Sequence, residues 1–260
     1  MGIYQGFAEL YDALMFDAPY DEWALWIDKR INEKLLQCGQ SDEPDAPNSS
    51  ASGRIIVDLG CGTGSISVRL AQMGHSVIGV DSSADMLGIA YEKAVSYGKN
   101  ILFVNQDMRQ LDLYGTAHAF VSVCDVMNYI LDEESLQKVF ERVHLFLEPG
   151  GVLIFDMNTL YKYRDKMGSR IISGSGLGGE SYVWKNKFCD KTMINEYNVT
   201  FHSGISNAVF TEKHLQRAYE SSVVEDLLKH AGFHSIEARC GYSDKPLRNE
   251  SIRAVFIACK

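Results

Sequence analysis

Between Arg54 and Leu70 the chain reads Ile55-Ile56-Val57-Asp58-Leu59-Gly60-Cys61-Gly62-Thr63-Gly64, then continues from Ser65 to Leu70. A short apolar run rich in β-branched residues marks a buried parallel strand. The run ends at an acid and three glycines on alternate positions, after which helical spacing begins. Glycines there let the backbone turn sharply and approach a ligand where a Cβ would collide. The following helix aims its free N–H groups and positive dipole end at the same spot. Such a strand–loop–helix calls for a parallel sheet holding a nucleoside-like ligand at the strand's carboxyl end.

The dinucleotide fingerprint is G-x-G-x-x-G/A; here the sixth place is Ser65 and the third glycine comes one position early. That stretch alone leaves a dinucleotide and other nucleoside ligands open, and the downstream segments have to separate them. His75 to Val80 predicts a second strand, ending at Asp81, about 20 residues past the glycines, where a carboxylate meets ribose hydroxyls. Ser82-Ser83-Ala84-Asp85 reads as a capping box for a helix through Met86, Leu87, Ala90, Ala94 and Val95. Ile101 to Val104 predicts a third strand leading to Gln106-Asp107-Met108, and Ala119 to Cys124 a fourth leading to Asp125-Val126-Met127-Asn128-Tyr129. Asp132 caps a further helix, and Glu148-Pro149-Gly150-Gly151 turns into a fifth strand, Val152 to Asp156. Strands alternating with helices predict a parallel sheet with ligands at its carboxyl edge.

From Tyr161 to Ala218 the periodicity changes to alternating strands with glycine-rich gaps: Ser181–Phe188, Met193–Phe201 and Ala208–Leu215. This predicts an antiparallel insertion. Ser222 to Glu225 reads as another capping box, and the strands Ser235–Cys240 and Arg253–Cys259 close the chain. Ahead of the core, Phe7, Leu10, Tyr11, Leu14, Trp23, Trp26, Ile27, Ile31 and Leu35 follow helical spacing. They predict a helical cap on a sheet edge, divided at Pro19, with Asp21 as an N-cap. Gln37 to Gly53 is polar and reads as a mobile loop, and Gly174 to Gly179 as a hinge or turn. The expected organisation is a cap and linker over 1–53, a core over 54–158, an insertion over 159–218 and a completion of the core over 219–260.

At 260 residues and a formal net charge of −9, without a Lys/Arg-rich block, nucleic acid is a poor expectation as partner. No apolar run spans a bilayer and no signal sequence is evident, so the expected location is the cytoplasm, without membrane association. The six cysteines show neither C-x-x-C pairing nor zinc spacing, so no metal site is expected. No His flanks Cys61 or Cys124 to make either a nucleophile.

Taken in order, Asp58…Gly60-Cys61-Gly62-Thr63-Gly64, Asp81, Asp107-Met108, Asp125 and Glu148-Pro149-Gly150-Gly151 resemble the successive motifs of class I S-adenosylmethionine-dependent methyltransferases. The likeness covers Ile55 to Phe155 and, through Ala231-Gly232-Phe233 and the closing strands, most of the remainder. The cap and β insertion are similar to the small-molecule members, including sugar-amine and glycine N-methyltransferase types. Phe7-Ala8-Glu9-Leu10-Tyr11-Asp12 resembles the start of an uncharacterised bacterial group with a Phe-Ala-x-x-Tyr-Asp pattern.

The resemblance implies an α/β, Rossmann-like, doubly wound sheet of seven strands, the last antiparallel, with the antiparallel β insertion added. It implies S-adenosyl-L-methionine as cofactor. Gly60 and Gly62 would line its methionyl part and Asp58 would support the amino group. Asp81, with Ser82 beside it, would take the ribose. Met86 would pack on the adenine, whose amino group would meet Asp107 while the Met108 backbone meets the ring. Cys124 would present its backbone beneath the methionine moiety, and Tyr11 and Tyr129 are counted with the cofactor-binding residues. A small-molecule acceptor, as amine, hydroxyl or carboxylate, would enter between the cap, the Asp125–Tyr129 loop and the insertion; a macromolecule such as RNA stays open. Polar candidates there are Tyr11, Asn128, Tyr129, His202, His214, Arg217 and Tyr219. Arg217 has the fork to grip an anionic acceptor, and His202 or His214 could serve as base. Monomer and homodimer are both open. The competing readings are an NAD(P)-dependent oxidoreductase and a non-catalytic S-adenosylmethionine-binding protein.

Overall fold

A computed structural model describes residues 11–12, 15–37, 53–175, 181–202 and 209–260. The expected linker (38–52), the glycine run 176–179, the first strand position of the last insertion strand, Ala208, and the early cap positions Phe7, Leu10 and Leu14 lie outside those residues. Gln37 closes a helix, and Gly174 and Ser175 belong to a strand.

Seven strands form the main sheet: β1 (Ile55–Leu59), β2 (Ser76–Asp81), β3 (Leu102–Asn105), β4 (Ala117–Ser122), β5 (Leu147–Asn158), β10 (His234–Cys240) and β11 (Arg253–Cys259). Their order is β10-β11-β5-β4-β1-β2-β3. β1 pairs parallel with both β2 and β4, so the glycine loop leaves the sheet where the strand order reverses. That switch point is where doubly wound sheets place their ligands. β11 runs antiparallel to both β5 and β10, as the resemblance implied.

Alternation along β1 divides the core into two layers. Val57 and Leu59 face α4 (Glu133–Phe146) and α5 (Ser221–His230), through Leu136, Phe140, Val143, Val224 and Leu228. Ile56 faces the other side, with α1 (Tyr20–Gln37) and α2 (Ser65–Gln72). Ala24, Ile27, Ile31 and Leu35 form a helical stripe in α1 that is wholly buried. This stripe lies against Val152, Ile154, Val255 and Ile257, so α1 covers the sheet's face and not its edge. Its first turn holds Asp21, which pairs with Arg69 instead of acting as a cap.

Capping also differs in detail from the sequence pattern. Helix α3 (Ala84–Ser96) is capped by Ser83, whose side chain accepts from Met86 N, one position later than a box opening at Ser82. Ser222 lies inside α5, where Glu220 is the N-cap without a side-chain bond. Asp132 caps α4 by accepting from Ser135 N at 2.7 Å, as expected.

The insertion is a separate antiparallel sheet in the order β6 (Ile171–Ser175), β7 (Ser181–Cys189), β8 (Ile194–His202), β9 (Val209–Arg217). Glycine within β6 hid that strand from the alternation pattern. On one face Tyr197, Val199 and Phe201 pack with Met86 of α3, which ties this sheet to the core above the carboxyl edge.

Candidate active site

The loop after β1 takes its shape from three left-handed glycines, Gly60, Gly62 and Gly64, at φ 69°, 53° and 75°. Gly60 and Cys61 donate their N–H groups to Val80 O at 2.7 and 3.1 Å, which locks the loop to the end of β2. A Cβ on Gly60 would stand 2.3 Å from Val126 Cγ1. A Cβ on Gly62 would meet no atom within 4 Å, because this position opens onto the cavity.

That cavity has a volume of about 710 Å³. Its lining holds Tyr11, Asp58, Gly60, Gly62, Asp81, Ser82, Met86, Asp107, Met108, Cys124 and Tyr129, every residue the sequence placed on the cofactor side. Asp58 is buried and accepts from Ser67 Oγ at 2.6 Å. Burial chiefly, and the charge of Asp81 in addition, push its carboxyl up to about 7, against the opposing bond from Ser67. Asp81 Oδ2 accepts from Gly62 N and Oδ1 from Ser83 N, both at 2.8 Å. Each carboxylate oxygen keeps a further lone pair for a ligand hydroxyl. Burial raises Asp81 as well, opposed by these backbone bonds. Asp107 is different: it is held by the Arg109 side chain, with Nε at 3.0 Å from both oxygens, and this pairing lowers its carboxyl.

Several groups at or beside the cavity carried no assigned role in the sequence. Tyr20, the first residue of α1, reaches the cavity, and burial raises its phenol. Thr63 donates to Asp12 Oδ1 at 2.6 Å, while Lys93 of α3 binds Thr63 Oγ1, Ser65 Oγ and Asp12 Oδ2. This clamp fastens Tyr11-Asp12 to the glycine loop. A lysine beside the buried stripe Leu87, Ala90, Ala94 was the available signal for it.

Beneath the site, just after β4, stand two non-glycine residues with left-handed backbones, Cys124 (φ 68°) and Asp125 (φ 53°). Such conformations persist only when their surroundings over-determine them. Here Asp125 N donates to Asp156 Oδ1 at 2.6 Å, Gln216 Nε2 donates to Asp125 Oδ2 at 2.7 Å, and Arg253 pairs with both acids. Tyr242 completes the cluster with a bond to Asp156 Oδ2 at 2.8 Å.

The methyltransferase domain family matches residues 56–151. YqeM of Bacillus subtilis (strain 168), whose name assigns it provisionally as a methyltransferase, is 34% identical over 262 residues, covering 99% of this chain and 97% of that protein. The chain is similar in structure to an S-adenosylmethionine-dependent methyltransferase from Clostridium acetobutylicum ATCC 824, with a TM-score of 0.82 at 28% identity, covering 98% of both chains. The chain belongs to the class I S-adenosylmethionine-dependent methyltransferases. The fold is also that of the sugar N-methyltransferase KedS8 from Streptoalloteichus sp. ATCC 53650, with a TM-score of 0.71, 17% identity and coverage of 94% and 88%. As a methyltransferase it uses S-adenosylmethionine, and the nicotinamide and non-catalytic readings fall away.

The residues expected to serve the acceptor are dispersed in this methyltransferase. His202 stands exposed at the end of β8 and does not line the cavity. Arg217 does not line it either; its guanidinium binds Glu133 Oε1 at 2.7 Å and Leu131 O at 3.2 Å and lies 4.9 Å over the Tyr219 ring. His214 is buried behind Tyr129, whose hydroxyl lies 3.1 Å from Nδ1. Asn128 is buried too, bonded to the backbone of Asn158 and Arg217, and Tyr219 donates to Ile130 O at 2.6 Å. From the insertion, Lys213 and Leu215 of β9 reach the cavity.

Proposed function

We propose that this enzyme methylates the nitrogen of a small, amine-bearing molecule. The observation that carries the reading is the second wall of the cavity. Beyond the glycine loop, Asp81 and Met86, the same space is bounded by Tyr129, Ile130 and Leu131 and by Lys213 and Leu215 of β9. A cavity of about 710 Å³ falls within the range of small-molecule sites, so an acceptor of modest size suits it. A net charge of −9 favours the approach of a cation, as an amine is near neutral pH. KedS8, which shares the fold, is by its title a sugar N-methyltransferase.

S-adenosylmethionine supplies an electrophilic methyl group, so the protein's task is to orient and to exclude water. The open space at Gly62 fits a ligand that needs close backbone approach. In this reading Asp58 receives the amino group of the methionyl part, Asp81 the ribose hydroxyls, and Met86 the adenine, with Asp107 and the Met108 backbone at its rim. Tyr11 and Tyr20 cover the pocket from the N-terminal side. The domain limits 54–158 for the donor side and 159–218 for the acceptor lid belong to the same reading.

A methyl-transfer screen tests it, with S-adenosylhomocysteine formation as the signal. Small amines should turn over, and Asp81→Ala should weaken S-adenosylhomocysteine binding by about 1.5–3 kcal/mol. Turnover confined to hydroxyls, carboxylates or RNA would overturn the amine reading. Unchanged affinity in Asp81→Ala would overturn the ribose assignment.

A further inference from the structure

One chain of polar contacts leads from the cavity wall into the insertion. Tyr129 ends the 3₁₀ turn after β4 and lines the cavity. Its hydroxyl lies 3.1 Å from His214 Nδ1 and 2.8 Å from the Tyr197 hydroxyl. On the far side of the imidazole, His214 Nε2 lies 3.2 Å from Glu212 Oε2. Sheet geometry dictates this order. Glu212 and His214 are two apart on β9 and share a face. Tyr197 is paired with His214 across β8 and β9 and stacks on its ring, with centroids 4.8 Å apart. His214 is only 3% exposed and is absent from the cavity lining, so an acceptor meets Tyr129 and not the imidazole.

We propose that Tyr129 is the catalytic residue that takes the acceptor's proton, that His214 receives the proton Tyr129 gives up, and that Glu212 is the positioning residue that holds the imidazole. This relay rests on the reading of a small amine acceptor. Near neutral pH an aliphatic amine arrives as ammonium, with no lone pair to offer. One N–H bond of the ammonium breaks and its proton passes to the Tyr129 oxygen. In the same step the phenolic O–H breaks and its proton passes to His214 Nδ1. Tyr129 ends neutral, the amine ends neutral with its lone pair free, and the positive charge resides on the imidazolium facing the Glu212 carboxylate. After the product leaves, the proton returns along the same path, from His214 Nδ1 through the Tyr129 hydroxyl to water in the cavity. An unassisted phenol is too weak a base for this step, and the imidazole behind it supplies the missing basicity. In this proposal the buried Glu212 Oε2, which makes no hydrogen bond in the structure and stands 3.2 Å from Nε2, is the group that would take the Nε2–H and so leave Nδ1 as the acceptor for the Tyr129 hydroxyl.

Two measurements test the relay. With an acceptor from the screen, Tyr129→Phe and His214→Gln should each lower kcat about 10²–10⁴-fold, the usual worth of general acid–base catalysis. Acceptor KM and S-adenosylhomocysteine Kd should stay within threefold. Wild-type turnover in both variants would overturn the relay while leaving the amine reading intact. Loss of rate in Tyr197→Phe with none in His214→Gln would overturn it also, since the proton would then leave by Tyr197. The second measurement needs no acceptor. Nitrogen-15 spectra of the histidines in the S-adenosylhomocysteine complex should show His214 protonated at Nε2 and bare at Nδ1, with Nδ1 shifting in Tyr129→Phe. Glu212→Gln should populate the opposite tautomer. A wild-type His214 carrying its proton on Nδ1 would overturn the relay by itself, even if no small amine is ever turned over. Absence of amine turnover with the Nε2–H tautomer present would overturn the amine reading, and the ammonium step of the relay with it, while the hydrogen-bonded order Tyr129–His214–Glu212 would stand.

Discussion

Asp58 makes the site sensitive to pH. Its carboxyl stands at about 7 in the folded chain, against 3.8 when unfolded, chiefly through burial. Between those values the folded state retains a proton that the unfolded chain has released, so this group's contribution to stability falls as pH rises from about 4 to 7 and is constant above. The loss is on the order of 2–4 kcal/mol. Urea midpoints of the ligand-free protein at pH 5 and pH 8 check this, with Asp58→Asn flattening the difference; equal slopes in both proteins would contradict the assignment. A cation seated beside Asp58 favours the charged carboxylate, so S-adenosylhomocysteine should bind more tightly as pH rises through 7, and less steeply in Asp58→Asn. Gly60 offers a second test at this scale. Gly60→Ala combines a strained φ of 69° with a contact of 2.3 Å to Val126, together about 2–4 kcal/mol. Adding Val126→Ala should recover the steric part and leave the backbone part, and a double mutant no better than the single would show that sterics play no role. The motif at 58–64 was legible because its chemistry is local: an acid, three glycines and a helix start are all adjacent. Arg217 was not, because its partner Glu133 is 84 residues away and no pattern announces the pair.

Among the elements, the joint of β4, β5 and β11 carries the strained turn that borders the cavity. Arg253 on β11 neutralises Asp156 on β5 and Asp125 after β4, all three largely removed from solvent. Arg253→Met would leave two buried acids without their cation, a loss of about 3–5 kcal/mol. A drop of less than 1 kcal/mol by chemical denaturation would mean that water or Tyr242 compensates. The N-terminal clamp works at the same scale. Lys93→Met removes the cation that joins Asp12, Thr63 and Ser65, and should raise the S-adenosylhomocysteine Kd about 5–30-fold, as for one to two charge-assisted bonds. Calorimetry giving an unaltered Kd would separate Tyr11-Asp12 from ligand binding. The strand and helix sequence of the core was read from its periodicity with shifts of one to five residues at the ends. β6 escaped because glycine breaks its alternation, and the placement of α1 escaped because an amphipathic stripe does not say which surface it will cover.

At the scale of the molecule, the β insertion leaves the core and returns to it at one buried side chain. Asn128 Oδ1 accepts from Asn158 N at 2.8 Å, and its Nδ2 donates to Asn158 O at 3.3 Å and to Arg217 O at 2.8 Å. The chain thus enters the insertion from β5 and leaves it by β9 within reach of a single amide. Closing so short a gap costs little chain entropy, so replacing residues 160–216 by a short flexible linker should leave a core that unfolds cooperatively. That core should bind S-adenosylhomocysteine more weakly, because Met86 loses Tyr197, Val199 and Phe201, and it should transfer no methyl. A deletion protein without a cooperative transition would show that the core depends on the lid. In the proposed reading, where the insertion covers the acceptor, the same junction would make it a transplantable cassette. Acceptor preference would then drift, or be exchanged by grafting another enzyme's insertion between β5 and α5, without any change in the residues proposed to hold the donor.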